Sequence, residues 1–302
     1  MKAQWLVELG LFTDTEDDLI KAIRKSGRTV KTIKYIPFDD ELIMHAQKLY
    51  DADSCVVFYG SLNFGRKLRS LPWYPGVYLN EKAFECTSYY PSIGNELLHS
   101  DYLMLPYGDL IRRKDELFNM FGGLLFLRPN SGMKQFTGMV LGYPDFEEGV
   151  KLAGFYDVEP ELLVVVSNAK QLLREWRFVI VDNKVVSGSL YRNWTIGPDT
   201  IIPGTTTRDY VLMNSKSVTE GCADKDAYEY AEKIAKLYHP DRAWTIDVCQ
   251  HKLGEAYGER LEYKVIEIGC FSCAGMYGND LDKVVEAVSV AAEDEWKEYQ
   301  PI

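Results

Sequence analysis

The chain has 302 residues, of which 46% are hydrophobic and 26% charged, a composition that indicates a folded globular protein with one large or two ordinary domains. Its formal net charge of −11, without a long run of Lys or Arg, disfavours binding to nucleic-acid backbones or anionic lipid. An apolar stretch of membrane-span length and a signal-peptide pattern are both absent, and the six Cys are scattered. We therefore expect a cytoplasmic, membrane-free protein without a disulfide framework.

The first 80 residues predict alternating strands and helices. Strands are predicted at 4–9, 29–36 and 54–59, and helices at 14–25 and 40–50. The third strand is almost entirely apolar, which suits a parallel strand covered on both faces. This βαβαβ order predicts a Rossmann-like sheet, and such sheets bind ligands beyond the carboxyl ends of their strands. Tyr59-Gly60-Ser61 lies at such an end, although an ordinary turn explains it equally well.

From residue 123 the pattern becomes rich in antiparallel strands. Strands are predicted at 123–129, 136–141 and 161–167, followed by a hairpin around Asp182-Asn183. A helix at 226–238, strands at 243–250 and 263–268, and a helix at 281–299 complete the chain. The polar segment 193–219 is too long for a simple connection, and we predict that it is a lid over a ligand site.

Two carboxylates form the most informative pair of residues. In RAWTIDVCQ and EYKVIEIG, side-chain alternation places Asp247 and Glu267 on faces where antiparallel pairing can bring them opposite each other. Like charges in that position are destabilising unless a cation separates them. Mg²⁺ bound to a nucleotide would supply that cation, because it prefers carboxylate and phosphate oxygens. The alternative is that one or both side chains face solvent.

Cationic side chains form a second set. Arg128 ends the strand LLFLRP and Lys134 follows six residues later, while Arg192 ends the second strand of the hairpin. Arg177 lies within the apolar strand EWRFVIV, and a buried guanidinium needs an anionic partner. A polyphosphate would meet this need, with Arg binding bidentately and Lys acting as a point charge. An ion pair between Arg177 and Glu175, which share a face, is the alternative.

A zinc site is an alternative interpretation of the spacing of the Cys and His residues. Cys270 and Cys273 form a Cys-x2-Cys pair, and the proposed hairpin would bring them towards Cys249 and His251. The Cys-x-His spacing is not that of a usual zinc knuckle. The chain also lacks a Walker A loop, a GxGxxG motif, a GxSxG elbow and an HExxH motif. A bound nucleotide would therefore be held by side-chain cations and strand carboxylates.

The order of these motifs resembles a known family. FLRP followed after four residues by KQFTG, then EWRFVIVDNKVVSGSLYR, an Asp-bearing strand and VIEIGCFSCAGMYGNDL, is similar to the Arg/Arg/Lys clade of ATP-grasp proteins, common in bacteriophages and bacteria. The resemblance covers residues 84–287. It implies a mixed α/β and α+β fold, with a Rossmann-like pre-ATP-grasp domain at 1–85 and a two-lobed ATP-grasp domain with antiparallel sheets at 86–302.

The resemblance also implies roles for individual residues. Arg128 and Lys134 would contact the phosphates of ATP, and the backbone of the strand containing Val165, Val166 and Ser167 would read adenine. Glu175 and Arg177 would line the nucleotide pocket, and Asp247 and Glu267 would hold Mg²⁺. Arg192, Arg177 and Lys134 would act on the reacting groups, with Arg192 facing the substrate carboxylate or acyl phosphate.

The implied activity is ATP-dependent ligation of a small-molecule or peptide carboxylate to an amine through an acyl phosphate. One departure from the family pattern bears on this activity, because Gly269 stands where a Glu-x-Asn motif would supply a third metal ligand. Two alternatives therefore stay open. The chain could be a degenerate ATP-grasp protein that binds a nucleotide or a partner without turnover, or a ligase that modifies a nucleic-acid base.

Overall fold

A computed structural model describes residues 1–36, 41–132, 135–153, 158–193, 217–218, 225–252 and 261–299. The N-terminal elements are β1 (Gln4–Glu8), α1 (Glu16–Lys25), β2 (Thr29–Ile33), α2 (Leu42–Gln47), β3 (Cys55–Tyr59), α3 (Leu62–Leu68) and β4 (Tyr74–Gly76). Their strands form a parallel sheet in the order β2-β1-β3-β4. Every residue of β3 is buried, as its apolar run predicts for a strand covered on both faces. The predicted parallel α/β sheet is confirmed.

A four-stranded antiparallel sheet follows. Its region contains α4 (Cys86–Ile93), β5 (Leu103–Pro106), α5 (Tyr107–Arg112), α6 (Lys114–Phe121), β6 (Leu124–Pro129), β7 (Met139–Gly142), α7 (Phe146–Ala153) and β8 (Leu163–Asn168). The strand order is β5-β8-β6-β7, and all neighbouring strands run antiparallel. An apolar core that includes Leu117, Phe118, Leu127 and Val164 packs α5, α6 and α7 against one face of the sheet.

A second antiparallel sheet has the order β11-β10-β9-β12-β13. Its region contains β9 (Leu172–Val181), β10 (Lys184–Asn193), β11 (Ser217–Val218), α8 (Lys225–Ala235), β12 (Ala243–Lys252), β13 (Leu261–Cys270) and α9 (Leu281–Tyr299). The hairpin between β9 and β10 turns at Asp182 and Asn183, whose φ values are 47° and 62°. Positive φ at both central residues is what a type I′ turn requires, so the predicted hairpin and its turn are confirmed.

The helix α9 returns to the N-terminal sheet. Its Val284 and Val288 share an apolar core with Trp5 and Val57. The indole of Trp5 donates a hydrogen bond to Ser289 Oγ at 3.0 Å. The last helix of the chain therefore completes one face of the first sheet. The division into domains at residue 85 stays a prediction.

Two predicted features lie outside the described residues. They are most of the candidate lid at 193–219 and the first residues of the predicted second helix. In the part of the chain that is described, no helix has the length and apolar character needed to cross a bilayer.

Candidate active site

One row of polar side chains crosses the larger antiparallel sheet. Its residues lie directly opposite one another on four adjacent strands: Ser189 on β10, Arg177 on β9, Asp247 on β12 and Glu267 on β13. The residues on either side of each row member belong to the opposite face, where Trp176, Phe178, Trp244 and Ile246 form an apolar core with α8. Because side chains alternate along each strand, one face of the sheet packs in the apolar core and the other carries the polar row. The prediction that Asp247 and Glu267 lie opposite each other is confirmed. This geometry does not test their predicted role as metal ligands.

Arg177 and Asp247 form a bidentate ion pair. Arg177 Nε donates to Asp247 Oδ1 at 2.7 Å and Nη2 donates to Oδ2 at 2.6 Å, and both side chains are buried. The third nitrogen, Nη1, donates to the carbonyl of Gly275 at 3.0 Å. Paired geometry of this kind is the strong form of a charged hydrogen bond. The alternative partner considered from sequence, Glu175, is wrong for Arg177 because the neighbouring strand supplies a carboxylate directly opposite.

Glu175 has partners of its own on the hairpin. Tyr191 Oη donates to Glu175 Oε2 at 2.8 Å, and Arg192 Nη1 lies 3.9 Å from Oε1. Burial raises the pKa of Tyr191, and the nearby carboxylates of Asp247 and Glu175 raise it further, so the phenol stays protonated and acts as a donor. Arg192 lies opposite Glu175 in the ladder and is more exposed than Arg177.

The smaller antiparallel sheet faces this row and contributes a second cation. Arg128 Nη2, at the end of β6, lies 3.2 Å from Glu267 Oε2, and Arg128 Nη1 lies 3.5 Å from the carbonyl of Ile266. The two sheets therefore meet around two cations and two carboxylates. Of the residues predicted to act on phosphates, Arg128 and Arg177 converge here, whereas Lys134 lies outside the described residues.

The end of β8 lies beside this meeting point. Val165 and Val166 lie opposite residues of β5 on one side and of β6 on the other, so the two ladders occupy their backbone hydrogen-bonding groups. The β5 ladder ends at Val166, whereas Ser167 pairs with β6 alone among the described strands. Of the three positions at which the resemblance implies contact with a base, Ser167 is thus the one paired on a single side among the described strands, and the base contact itself stays a prediction.

Comparisons with known proteins agree with this geometry. The profile of the family described as ATP-grasp domain, R2K clade family 2, matches residues 114–287, which is more than half of the chain. The chain belongs to the R2K clade of ATP-grasp proteins. A comparison with functionally characterised sequences gives no match.

Solved structures resemble this ATP-grasp chain along its whole length. D-cycloserine synthetase DcsG shares 14% identity at a TM-score of 0.58, with 97% of this chain and 99% of the other covered. D-alanine–D-alanine ligase from Bacillus anthracis complexed with ATP shares 14% identity at a TM-score of 0.57, with 99% of this chain and 100% of the other covered. The ATP-grasp ligase PsnB complexed with a minimal precursor shares 12% identity at a TM-score of 0.55, with 97% of this chain and 100% of the other covered. At these identities the similarity establishes the fold, an N-terminal parallel sheet followed by two antiparallel sheets.

Asp247 and Glu267 are the predicted metal ligands of this site. Among the described ranges, no three side chains of the His, Cys, Asp and Glu types group closely enough to make a complete metal site. Gly269 lies opposite Thr245, and a Cβ atom at position 269 would lie 3.0 Å from Thr245 Oγ1. A third side-chain ligand at 269 would therefore require Thr245 to give way.

The zinc alternative does not fit the ladder. Cys270 lies opposite Trp244, five residues from Cys249 on the same strand, which corresponds to roughly 16 Å. Sulfur ligands of one zinc ion must both lie about 2.3 Å from the metal. The suggestion that the hairpin brings these cysteines together is therefore wrong. Burial also raises the pKa of Cys249, which disfavours the thiolate form that binds metals.

A buried histidine beside the end of β8 was not predicted from the sequence. His99 lies before β5, with its Nδ1 2.6 Å from Ser167 Oγ and its ring stacked on Phe126 at a centroid distance of 3.9 Å. Burial, reinforced by the cations Lys170 and Arg128, lowers the pKa of His99 to about 3. The ring is therefore neutral at pH 7. A lone His in a polar connection carries no sequence signal that would have revealed this contact.

The depressed pKa of His99 predicts a pH dependence of stability. The unfolded chain binds a proton at this side chain below about pH 6.5 and the folded chain does not, so this contribution is complete above that pH and is lost as the pH falls towards 3. Between pH 7 and pH 5 the loss is about 2 kcal/mol. Urea unfolding at both pH values should therefore show a change smaller by about this amount in His99→Asn than in the wild type.

The same comparison contains its control. Burial also lowers the pKa of His251, so that residue contributes with the same sign in both proteins and cancels in the difference. An equal loss of stability in the wild type and His99→Asn would show that His99 titrates normally in the folded protein.

Proposed function

We propose that this chain is an ATP-dependent carboxylate–amine ligase that acts through an acyl phosphate. The observation that carries the proposal is the meeting of Arg177, Asp247 and Glu267 in one row with Arg128 from the facing sheet. Two cations and two carboxylates at one junction are the groups that a triphosphate and its magnesium ion require. Family membership supports the same conclusion.

The ion pairs of the site suggest how it accommodates a nucleotide. Arg177 and Asp247 neutralise each other, as do Arg128 and Glu267. Phosphate oxygens offer the two arginines other anionic partners, and a divalent cation offers the two carboxylates another positive one. The site thereby exchanges partners without leaving any of the four charges buried and unpaired, which would be costly.

Asp247 and Glu267 would hold Mg²⁺, which when bound neutralises charge on the transferring phosphoryl group. Their carboxylate oxygens are the hard donors that this ion prefers, and Mg²⁺ commonly keeps several water ligands. The absence of a side chain at Gly269 is therefore compatible with binding. It also makes the pure nucleotide-binding alternative the natural second candidate.

The remaining residues have roles that follow from their positions. The end of β8, from Ser167, would contact the base, next to the neutral ring of His99. Glu175, held by Tyr191, would line the nucleotide pocket. Arg192 is the more exposed arginine and would orient the substrate carboxylate, and Lys134 would contact the phosphates.

The chemistry proceeds in two displacements. A substrate carboxylate oxygen bonds to the γ-phosphorus as the bond to the ADP oxygen breaks, and the arginines stabilise charge on the phosphoryl oxygens. The amine nitrogen then bonds to the acyl carbon as the carbon–oxygen bond breaks and phosphate leaves. Water would hydrolyse the acyl phosphate, so the cleft between the two sheets must exclude it.

The structural relatives suggest the substrate class. Their names describe a D-cycloserine synthetase, a D-alanine–D-alanine ligase and a ligase bound to a precursor. We therefore propose small-molecule or peptide carboxylates and amines as substrates, with nucleic acid disfavoured by the net charge of −11.

Hydroxylamine trapping tests the proposal. The protein is incubated with Mg-ATP, hydroxylamine and a panel of amino acids and short peptides, and ADP and hydroxamate are measured. We expect one carboxylate class to give equal amounts of ADP and hydroxamate, because hydroxylamine intercepts an acyl phosphate. ATP binding without ADP formation across the panel would support the non-catalytic alternative, and absence of Mg-ATP binding would overturn both.

A further inference from the structure

The carboxyl ends of β1 and β3 mark the switch point of the parallel sheet. The core beneath α1 and α9 lies on one face of the sheet, and the core beneath α2 and α3 lies on the other. Within the sheet, β2 lies next to one edge of β1 and β3 lies next to the other edge. Open parallel sheets bind ligands in the crevice at such a point. In this chain, Glu8 ends β1 and Gly60-Ser61 follows β3.

Glu8 is a buried carboxylate without a cationic neighbour. It is 5% exposed, and its Oε2 accepts a hydrogen bond from the backbone amide of Ser61 at 2.7 Å. Within the described part of the chain, this carboxylate forms no ion pair, and both the backbone amide and the side chain of Ser61 hydrogen-bond to it. Burial raises the pKa of Glu8, and the hydrogen bonds from Ser61 only partly oppose this. An external cation would compensate the buried charge.

The absence of a side chain at Gly60 leaves room for this carboxylate. A Cβ atom at position 60 would lie 2.6 Å from Glu8 Oε2 and 2.5 Å from Glu8 Cβ, so any other residue would displace the carboxylate. Residues that follow both strands are exposed, namely Gly10 and Leu11 after β1 and Asn63 after β3. The carboxylate thus lies at the carboxyl end of the sheet, where parallel sheets bind ligands.

This position adjoins the proposed active site. The amide of Gly60 donates to the carbonyl of Ser272 at 2.9 Å, and Arg177 Nη1 donates to the carbonyl of Gly275 at 3.0 Å. Those two carbonyls are three positions apart along the chain, a span of roughly 11 Å at most. Glu8 and the Arg177–Asp247 pair therefore lie at the two ends of one short loop.

We propose that Glu8 binds a primary ammonium group, and that this group belongs to the amine substrate. The second part rests on the proposed ligase function, whereas the first does not. An ammonium is a compact point charge that one carboxylate oxygen can hold, while a guanidinium favours two free oxygens and Ser61 already occupies Oε2. A divalent metal is disfavoured, because Glu8 is a single carboxylate with one oxygen already occupied, whereas the proposed magnesium site offers two carboxylates together with the phosphates of ATP.

An NMR titration with methylammonium chloride tests the ammonium site on the intact protein. Gly-Ser occurs twice in the sequence, at 60–61 and 188–189, so labelling Gly with ¹³C at the carbonyl and Ser with ¹⁵N isolates the amides of Ser61 and Ser189. The Ser61 amide donates directly to Glu8 and reports on it, whereas Ser189 lies in the Arg177 row and is an internal control. Methanol and sodium chloride are the neutral and ionic controls.

We expect a saturable shift of the Ser61 signal with methylammonium, and affinity at least tenfold lower in Glu8→Gln. That variant keeps an oxygen acceptor for the Ser61 amide and removes the charge, so a merely structural role of Glu8 would leave the titration unchanged. No shift in the wild type, or equal shifts in both proteins, would overturn the ammonium site.

The outcome is separable from that of the ligase assay. Methylammonium binding at Glu8 without hydroxamate formation would leave the ammonium site standing while the ligase proposal fails. Hydroxamate formation without methylammonium binding would support the ligase and reject Glu8 as its amine-binding residue.

Discussion

Asp247→Leu should lower the free energy of unfolding by about 3–5 kcal/mol, because it leaves the Arg177 guanidinium buried without a compensating charge. Arg177→Met should cost a similar amount by isolating the Asp247 carboxylate. The double variant Arg177→Met/Asp247→Leu replaces both charges with apolar groups and should be much more stable than the sum of the two single losses implies. Urea unfolding of the four proteins without nucleotide measures the coupling.

An exposed ion pair provides the control. Arg113 and Glu116 lie 2.7 Å apart on the surface, and Glu116→Gln should change stability by less than about 1 kcal/mol. Additive losses in the Arg177 and Asp247 cycle would contradict the interpretation of this pair as mutually dependent buried charges. Turnover of ATP should be lost in both single variants and in the double variant, since the proposed site needs both side chains.

Glu267→Gln should weaken magnesium-dependent nucleotide binding. The side chain of Glu267 is 33% exposed but that of Arg128 is only 9% exposed, so the variant leaves a buried guanidinium without its carboxylate and should also lower the free energy of unfolding. Because Glu267 is a proposed magnesium ligand, the affinity for ATP in the presence of Mg²⁺ should fall at least tenfold, which corresponds to about 1.4 kcal/mol. Calorimetric titration with and without Mg²⁺ measures this effect, and the affinity for ATP alone should change much less.

Glu262→Gln is the matched control on the same strand. Glu262 also lies on β13, and its carboxylate is 3.6 Å from Lys264, outside the row that contains Asp247. It removes the same charge from the same strand and should leave magnesium-dependent binding unchanged. Equal effects of the two substitutions would show that overall charge, rather than a ligand at position 267, controls affinity.

Local patterns predicted much of the fold and one contact of the candidate site. The apolar run of β3 predicted a doubly covered strand, and Asp182-Asn183 predicted the turn of the hairpin. Alternation along two strands placed Asp247 opposite Glu267, because they belong to one hairpin whose register follows from its own sequence.

Contacts between distant segments could not be predicted in this way. Arg177 and Asp247 are 70 residues apart, and their pairing depends on the register between β9 and β12, which no short pattern specifies. The sequence therefore suggested Glu175, the neighbour on the same strand. The stack of His99 on Phe126 and the contact between Glu8 and Ser61 arise in the same manner, from segments that meet only in the folded protein.

The packing of α9 against the first sheet has a consequence for synthesis on the ribosome. Trp5 is fully buried and hydrogen-bonds Ser289, so the part of the sheet face that α9 covers stays exposed until a segment 284 residues further along has been translated. Contacts across so many residues carry a large loop-closure cost and slow folding. The N-terminal sheet should therefore reach its native packing only after α9 has left the ribosome, and a chaperone that shields exposed β-strand surface would act on it during elongation.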